Sequence, residues 1–208
     1  YIYRPMKAVY SLAFFMIFFL SVIAETDVIA FVQHYEAKGF VNDYANLLNQ
    51  QQKTDLEQKI SAINDSTSIQ FAICTIKSLK GYNIKEFAKA LGNFWGVGHQ
   101  QLNNGVLMVT TVAEREIYIG LGEGTEKFIE QDYLTTLIRE VIKPAFKKGN
   151  FNEGFNLGVE KIYMKLSGSG IDMRAVKAKQ KTTKLIYGFG GLLFFGVVVF
   201  LFATKKKS

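Results

Sequence analysis

The residues best placed to do chemistry lie between Trp95 and Glu126, in the run WGVGHQQLNNGVLMVTTVAEREIYIGLGEGTE. Gly96 and Gly98 can take the positive φ angles at which a helix stops. Asn103-Asn104-Gly105 then gathers amide and carbonyl groups just ahead of an apolar strand, Val106–Val112. Arg115 follows the short Ala113-Glu114 turn, so the next strand, Glu116–Leu121, runs antiparallel and brings Gly120, Gly122 and Gly124 back beside the asparagines. Arg115 is thereby left at the opposite end of the hairpin. Gly120-x-Gly122-x-Gly124 lacks the spacing of a dinucleotide fingerprint and the ribose-binding acid beyond it, so no nucleotide cofactor is expected. His34 and His99 are the only imidazoles, and no serine or cysteine motif stands beside either. Phosphoryl transfer needs a charge clamp or metal and a nucleophile or positioned water, of which Arg115 supplies one positive group. Glu123 and Glu126 read as solvated surface carboxylates. The single cysteine, Cys74, lies in an apolar run and reads as a small buried hydrophobe.

These groups are carried by alternating helices and strands. Asn49 with Gln52 forms a capping box ahead of a helix that places Leu56, Ile60 and Ile63 on one face. The run Ile69–Ile76 is apolar almost throughout, as in a strand covered on both faces. Asn83 and Glu86 open a second amphipathic helix bearing Ile84, Phe87, Ala88, Leu91 and Trp95. After the hairpin, Thr125 caps a predicted helix through Phe128, Ile129, Tyr133, Leu137, Ile138 and Val141. Pro144 should end it near Lys143. A last helix carries Phe155, Val159, Ile162, Tyr163 and Leu166. The fold class is α/β, a three-layer α/β/α sandwich with a mixed sheet.

The chain's net charge of +7 would suggest a nucleic-acid partner if it were evenly spread. It is not. Residues 25–172 hold all 18 acidic side chains but only 15 of the 25 basic ones, so the core is net acidic and the excess lysine and arginine flank two hydrophobic ends. No nucleic acid is expected. Met6-Lys7 and the apolar run ending Val22-Ile23-Ala24 resemble a secretory signal, with Met6 as its start and residues 1–24 removed. Residues 25–166 suffice for one domain with its own core. A basic linker follows at 167–184. The uncharged stretch 185–203, 19 residues long, can cross about 30 Å of hydrocarbon and leaves 204–208 as a cytoplasmic tail. A cleaved signal followed by a stop-transfer span puts the domain on the periplasmic side of a bacterial membrane, tethered through its C-terminal helix. A bare count of flanking basic residues points the other way.

In its order of motifs the chain resembles the TPM domain, the thylakoid-phosphatase-like family, over about residues 36–165. The resemblance rests on Gly39-Phe40-Val41-Asn42-Asp43 with Leu47-Leu48, Trp95-Gly96-Val97-Gly98, Asn103-Asn104-Gly105-Val106-Leu107 and Arg115 ahead of a strand. Gly120-x-Gly122 and Pro144-x-Phe146-x-x-Gly149-Asn150-Phe151 complete it. It implies a groove at the sheet end where acidic and amide side chains bind calcium in some members. In some plant members it implies weak acid phosphatase activity, in others an accessory role beside a membrane complex. Carried over, the candidate metal ligands are Asp43, Asn103, Asn104 and Asp132, with Asn103 standing where the family often has aspartate. An amide in place of a carboxylate keeps an oxygen but removes a charge, which weakens affinity for a hard cation. The expected partner is a neighbouring membrane protein or complex. The expected role is an accessory or interaction module, with a metal-dependent acid phosphatase as the alternative.

Overall fold

The computed structural model describes residues 27–67 and 69–168. The expected signal sequence, the expected linker beyond residue 168 and the expected span 185–203 lie outside the described residues, among which no helix is long and apolar enough to cross a membrane.

A helical stretch at 27–32, α1, is followed by strand β1 (Val41–Asp43) and helix α2 (Gln50–Thr67). The capping box forms as the sequence predicts: Gln52 N donates to Asn49 Oδ1 at 2.9 Å and Asn49 N donates to Gln52 Oε1 at 2.9 Å. Strand β2 (Gln70–Ile76) and helix α3 (Ile84–Trp95) come next. Asn83 caps α3 by accepting from the amides of Lys85 and Glu86, and Gly96, at φ 63°, closes it in the left-handed conformation. Strands β3 (Gly105–Thr111) and β4 (Ile117–Leu121) make the hairpin.

The sheet order is β1-β2-β3-β4, with β1/β2 and β2/β3 parallel and β3/β4 antiparallel, the mixed sheet expected. Alternation along each strand feeds two cores. Phe71, Ile73, Val106 and Met108 pack against Leu56 and Ile60 of α2, and against Phe155 and Val159 of the last helix. Ala72, Cys74, Ile76, Leu107 and Val109 face the other way, onto Phe87, Ala88 and Leu91 of α3 and Val28 and Val32 of α1. Helices therefore cover both sheet faces. Complete burial of a side chain such as Phe71 is worth about 1.5–3 kcal/mol.

The segment after the hairpin departs from expectation. In place of one helix there are α4 (Glu123–Glu126), α5 (Gln131–Leu137), a π-helical turn at Ile138–Ile142, and α6 (Lys143–Lys147). Thr125 is inside α4, not ahead of a longer helix; it is buried, and its hydroxyl donates to the carbonyls of Gly105 (3.1 Å) and Gly122 (2.9 Å). The chain also stays helical through Pro144. In the π turn Lys143 N–H bonds back to Ile138 O, five residues away. Pro144 then falls in the first turn of α6, where a missing N–H costs least. The last helix, α7 (Phe151–Gly168), runs two residues past the expected domain end at 166.

The β1 edge is closed by Glu57 of α2, whose carboxylate accepts from Val41 N at 2.7 Å and Phe40 N at 3.0 Å. Replacing Glu57 by alanine leaves these donors without a partner and should cost about 1–3 kcal/mol in urea unfolding, with Glu57→Gln milder because it keeps an acceptor.

Candidate functional site

Every parallel strand presents its carboxyl end on the same side, so the sheet has two chemically distinct ends. Asp43 closes β1, pairs with Thr75, and through it aligns with Thr110. Gly105, following the asparagine pair, aligns with Gln70 at the other end. The step from Gly105 to Thr110 along β3 is roughly 17 Å, so Asp43 and the asparagines cannot ligate one ion. Asp132 is not on the sheet. It is exposed in the first turn of α5, an element tied to α7 by the Glu130–Lys165 ion pair (3.2 Å) and by the Tyr133 hydroxyl on Lys161 O (3.1 Å). Asp43 and the asparagine pair therefore do not share one calcium site, which needs six to eight oxygens around one point. Sequence order could not reveal this, because each motif is local and the strand directions decide which motifs meet. Among the described residues no cluster of three or more histidine, cysteine, aspartate or glutamate side chains could hold a metal.

The asparagine end is a lock between loops. Asn104 is buried and its Oδ1 accepts from His99 N at 2.9 Å. Asn103 adopts φ 45° with an exposed side chain, donates its N–H to His99 O (2.8 Å) and accepts Gly124 N (2.8 Å) on its carbonyl. A Cβ on Gly124 would strike Leu102 O, and one on Gly122 would strike Asn103 O. The glycines thus serve close backbone packing, and no ligand is needed to explain them.

At the opposite end Asp43 is half-buried and heavily used. Its Oδ1 accepts from Leu47 N (3.0 Å) and from the Thr75 hydroxyl, and its Oδ2 accepts from Leu48 N (2.8 Å). The Thr75 oxygen in turn accepts from Ala45 N at 3.1 Å. The carboxylate therefore folds the β1–α2 loop over the sheet end. Cys74 next door is fully buried, as the sequence predicts; burial, aided by the Asp43 charge, raises its thiol pKa far above the ordinary range, so it is an inert thiol.

Beyond Asp43 lies a cavity of about 540 Å³ between the hairpin turn and α6. Leu47, Phe146 and Phe151 give it apolar surface, Thr110 and Thr111 line it from β3, and Arg115, Lys143 and Lys147 supply its cations. Arg115 stands at the hairpin turn away from the asparagines, as its sequence position implied. The lysines were missed. Their signal was present in the Pro144-to-Phe151 motif, but the unforeseen helix through Pro144 hid which face Lys143 and Lys147 share. Glu114, beside Arg115, accepts from Ser78 Oγ (2.7 Å) and Leu79 N (2.9 Å), pinning the turn to the β2–α3 loop. The Ser78 hydrogen bond, reinforced by a lesser one from the Leu79 backbone, outweighs desolvation and holds its carboxyl below the usual range.

A family model described as TPM domain matches residues 41–165. The structure resembles the N-terminal domain of a P. gingivalis protein solved by NMR, with 31% identity, TM-score 0.58, and coverage of 66% of this chain and 88% of that one. It also resembles the BA42 protein from the psychrophilic bacterium Bizionia argentinensis, at 24% identity and TM-score 0.53, covering 59% of this chain and 83% of that one. The second likeness bears on the fold alone. No curated protein matches the chain.

Two outcomes are expected. Gly124→Ala should lose about 1–3 kcal/mol of stability by forcing the two loops apart, read from the urea midpoint. Because Glu114 titrates lower when folded, its contribution is present above the unfolded carboxyl pKa and is lost as pH falls through the folded value. Glu114→Gln should therefore flatten the decline of melting temperature in the acid range below about pH 4.5.

Proposed function

This chain belongs to the TPM domain family, and from that premise we propose that it works as an exported, membrane-tethered interaction module, accessory to a membrane protein complex, rather than as a hydrolase. The observation that carries this reading is the state of Asp43. This acid, one of the two carried over from the family, is consumed by three hydrogen bonds that shape a loop. The hydroxyl that pairs with this carboxylate, that of Thr75, is fully buried and also accepts from Ala45 N, so it is held within the fold, whereas the cavity beside it offers cations and an apolar surface, chemistry suited to holding a partner. The tether follows from the uncharged 19-residue stretch at 185–203, and the secretory signal directs the domain to the periplasmic side of the membrane. The bacterial origin of the P. gingivalis domain, 31% identical, accords with a bacterial envelope. Calcium enters this reading only through the one lone pair that Asp43 Oδ2 keeps free, too little for tight binding.

Four measurements test it. Full-length protein in its native membrane should yield a specific membrane-protein neighbour on crosslinking, and protease added to spheroplasts should degrade the domain. Millimolar calcium should leave the melting temperature essentially unchanged. A generic phosphomonoester should not be turned over with or without divalent metal; metal-dependent turnover lost in Asp43→Asn, with the fold intact, would establish the phosphatase instead. Asp43→Ala should destabilise by about 1.5–3 kcal/mol, since donors to a charged acceptor are left unpaired, so lost function in that variant alone is not a catalytic result.

A further inference from the structure

We propose that the cavity between the hairpin turn and α6 binds an extended acidic segment of a partner protein, with carboxylates on the rim cations and an apolar side chain against Phe146 and Phe151. This rests on the reading of the chain as an interaction module and names the chemistry of what it holds.

The charge balance of the cavity comes first. Arg115, Lys143 and Lys147 line it and are exposed, against a single acid, Glu116. Among the described residues none of the three cations forms an ion pair, whereas Lys59, Arg139 and Lys165 elsewhere do. Lys143 and Lys147 are four residues apart in α6 and so share one face of it. Arg115 approaches from the hairpin. Its backbone sits at φ 56°, a conformation that non-glycine residues adopt at a cost, and this turn places a long cationic side chain at the cavity mouth.

A second observation is independent of charge. Thr110 lines the cavity, yet its Oγ1 is buried and has no hydrogen-bond partner among the described residues, although buried hydroxyls nearly always find one. Its neighbour Thr111 accepts from Glu116 N at 3.4 Å. A polar group is thus left unsatisfied beside the cavity, at the carboxyl end of the parallel strands, where open α/β sheets bind their ligands.

Shape selects among anions. A lone phosphate would engage the rim and leave Leu47, Phe146 and Phe151 in contact with water. A membrane surface would meet a concave recess whose aromatic side chains are half-buried. A volume of about 540 Å³ admits one or two side chains of an extended segment, and the rim cations can pair with carboxylates on either side of them.

The test uses full-length protein in neutral detergent micelles and a fluorescein-labelled peptide of sequence Asp-Glu-Phe-Leu-Glu-Asp, followed by anisotropy. The expected result is saturable binding that weakens with salt and falls at least about tenfold in the K143E/K147E double variant, whose surface positions leave the circular-dichroism melt unchanged. Replacing Phe-Leu in the peptide by Ser-Ser should weaken binding as well. No saturable binding, or equal binding by the double variant, overturns the proposal. Three further results would also overturn it: equal binding of the Ser-Ser peptide, full displacement by low-millimolar inorganic phosphate, or capture by phosphatidylglycerol vesicles in place of the peptide. A phosphomonoester assay on the same preparation separates the two readings. Turnover alongside peptide binding would remove the module reading and keep this site, while absence of both would remove this site alone.

Discussion

Strand β2 must be buried on both faces, and the rest of the molecule is arranged around that requirement. It hydrogen-bonds to β1 on one side and β3 on the other, and from Phe71 to Ile76 every residue is buried. An apolar strand of this kind is stable only when neighbours satisfy its backbone and helices cover both faces. The α2 and α7 side chains do this on one side, and α3 with α1 on the other. The faces are therefore occupied, and polar chemistry is confined to the two ends of the sheet.

Those ends have diverged in use. At the amino end of β3, glycines bring backbones together too closely for side chains, and Asn104 spends its amide oxygen on the turn. That end is closed by its own hydrogen bonds. At the carboxyl end Asp43 is equally committed, but the committed carboxylate leaves beside it a recess with three cations free of ion pairs among the described residues. Polar groups satisfied within the fold build architecture, whereas charged groups left facing a recess are available to a partner.

The helix after the hairpin shows how local rules can be individually sound and jointly insufficient. Proline disfavours helix at the residue before it, yet Lys143 is helical because a π turn shifts the hydrogen-bonding frame and makes Pro144 a starting residue. Thr125 has the side chain of a cap but uses its hydroxyl to tie α4 to the end of β3, a contact between segments twenty residues apart. The tie to β3 outweighs a capping preference worth about 1 kcal/mol, and the π turn avoids the roughly 3 kcal/mol that proline costs inside a helix.

What the sequence determined by itself was what depends on short-range order: the capped helices at Asn49 and Asn83, the buried strand around Cys74, the hairpin with Arg115 at its tip, and the family pattern from residue 41 to 165. Periodicity and capping are properties of neighbours in the chain, so they can be read without a fold. Only the tertiary structure decided that Asp43 and the asparagine pair are apart, and that Leu47, Arg115, Lys143 and Phe146 are together. Which motifs share a sheet end depends on strand direction and register, set by the simultaneous burial of both faces and carried by no single stretch of residues.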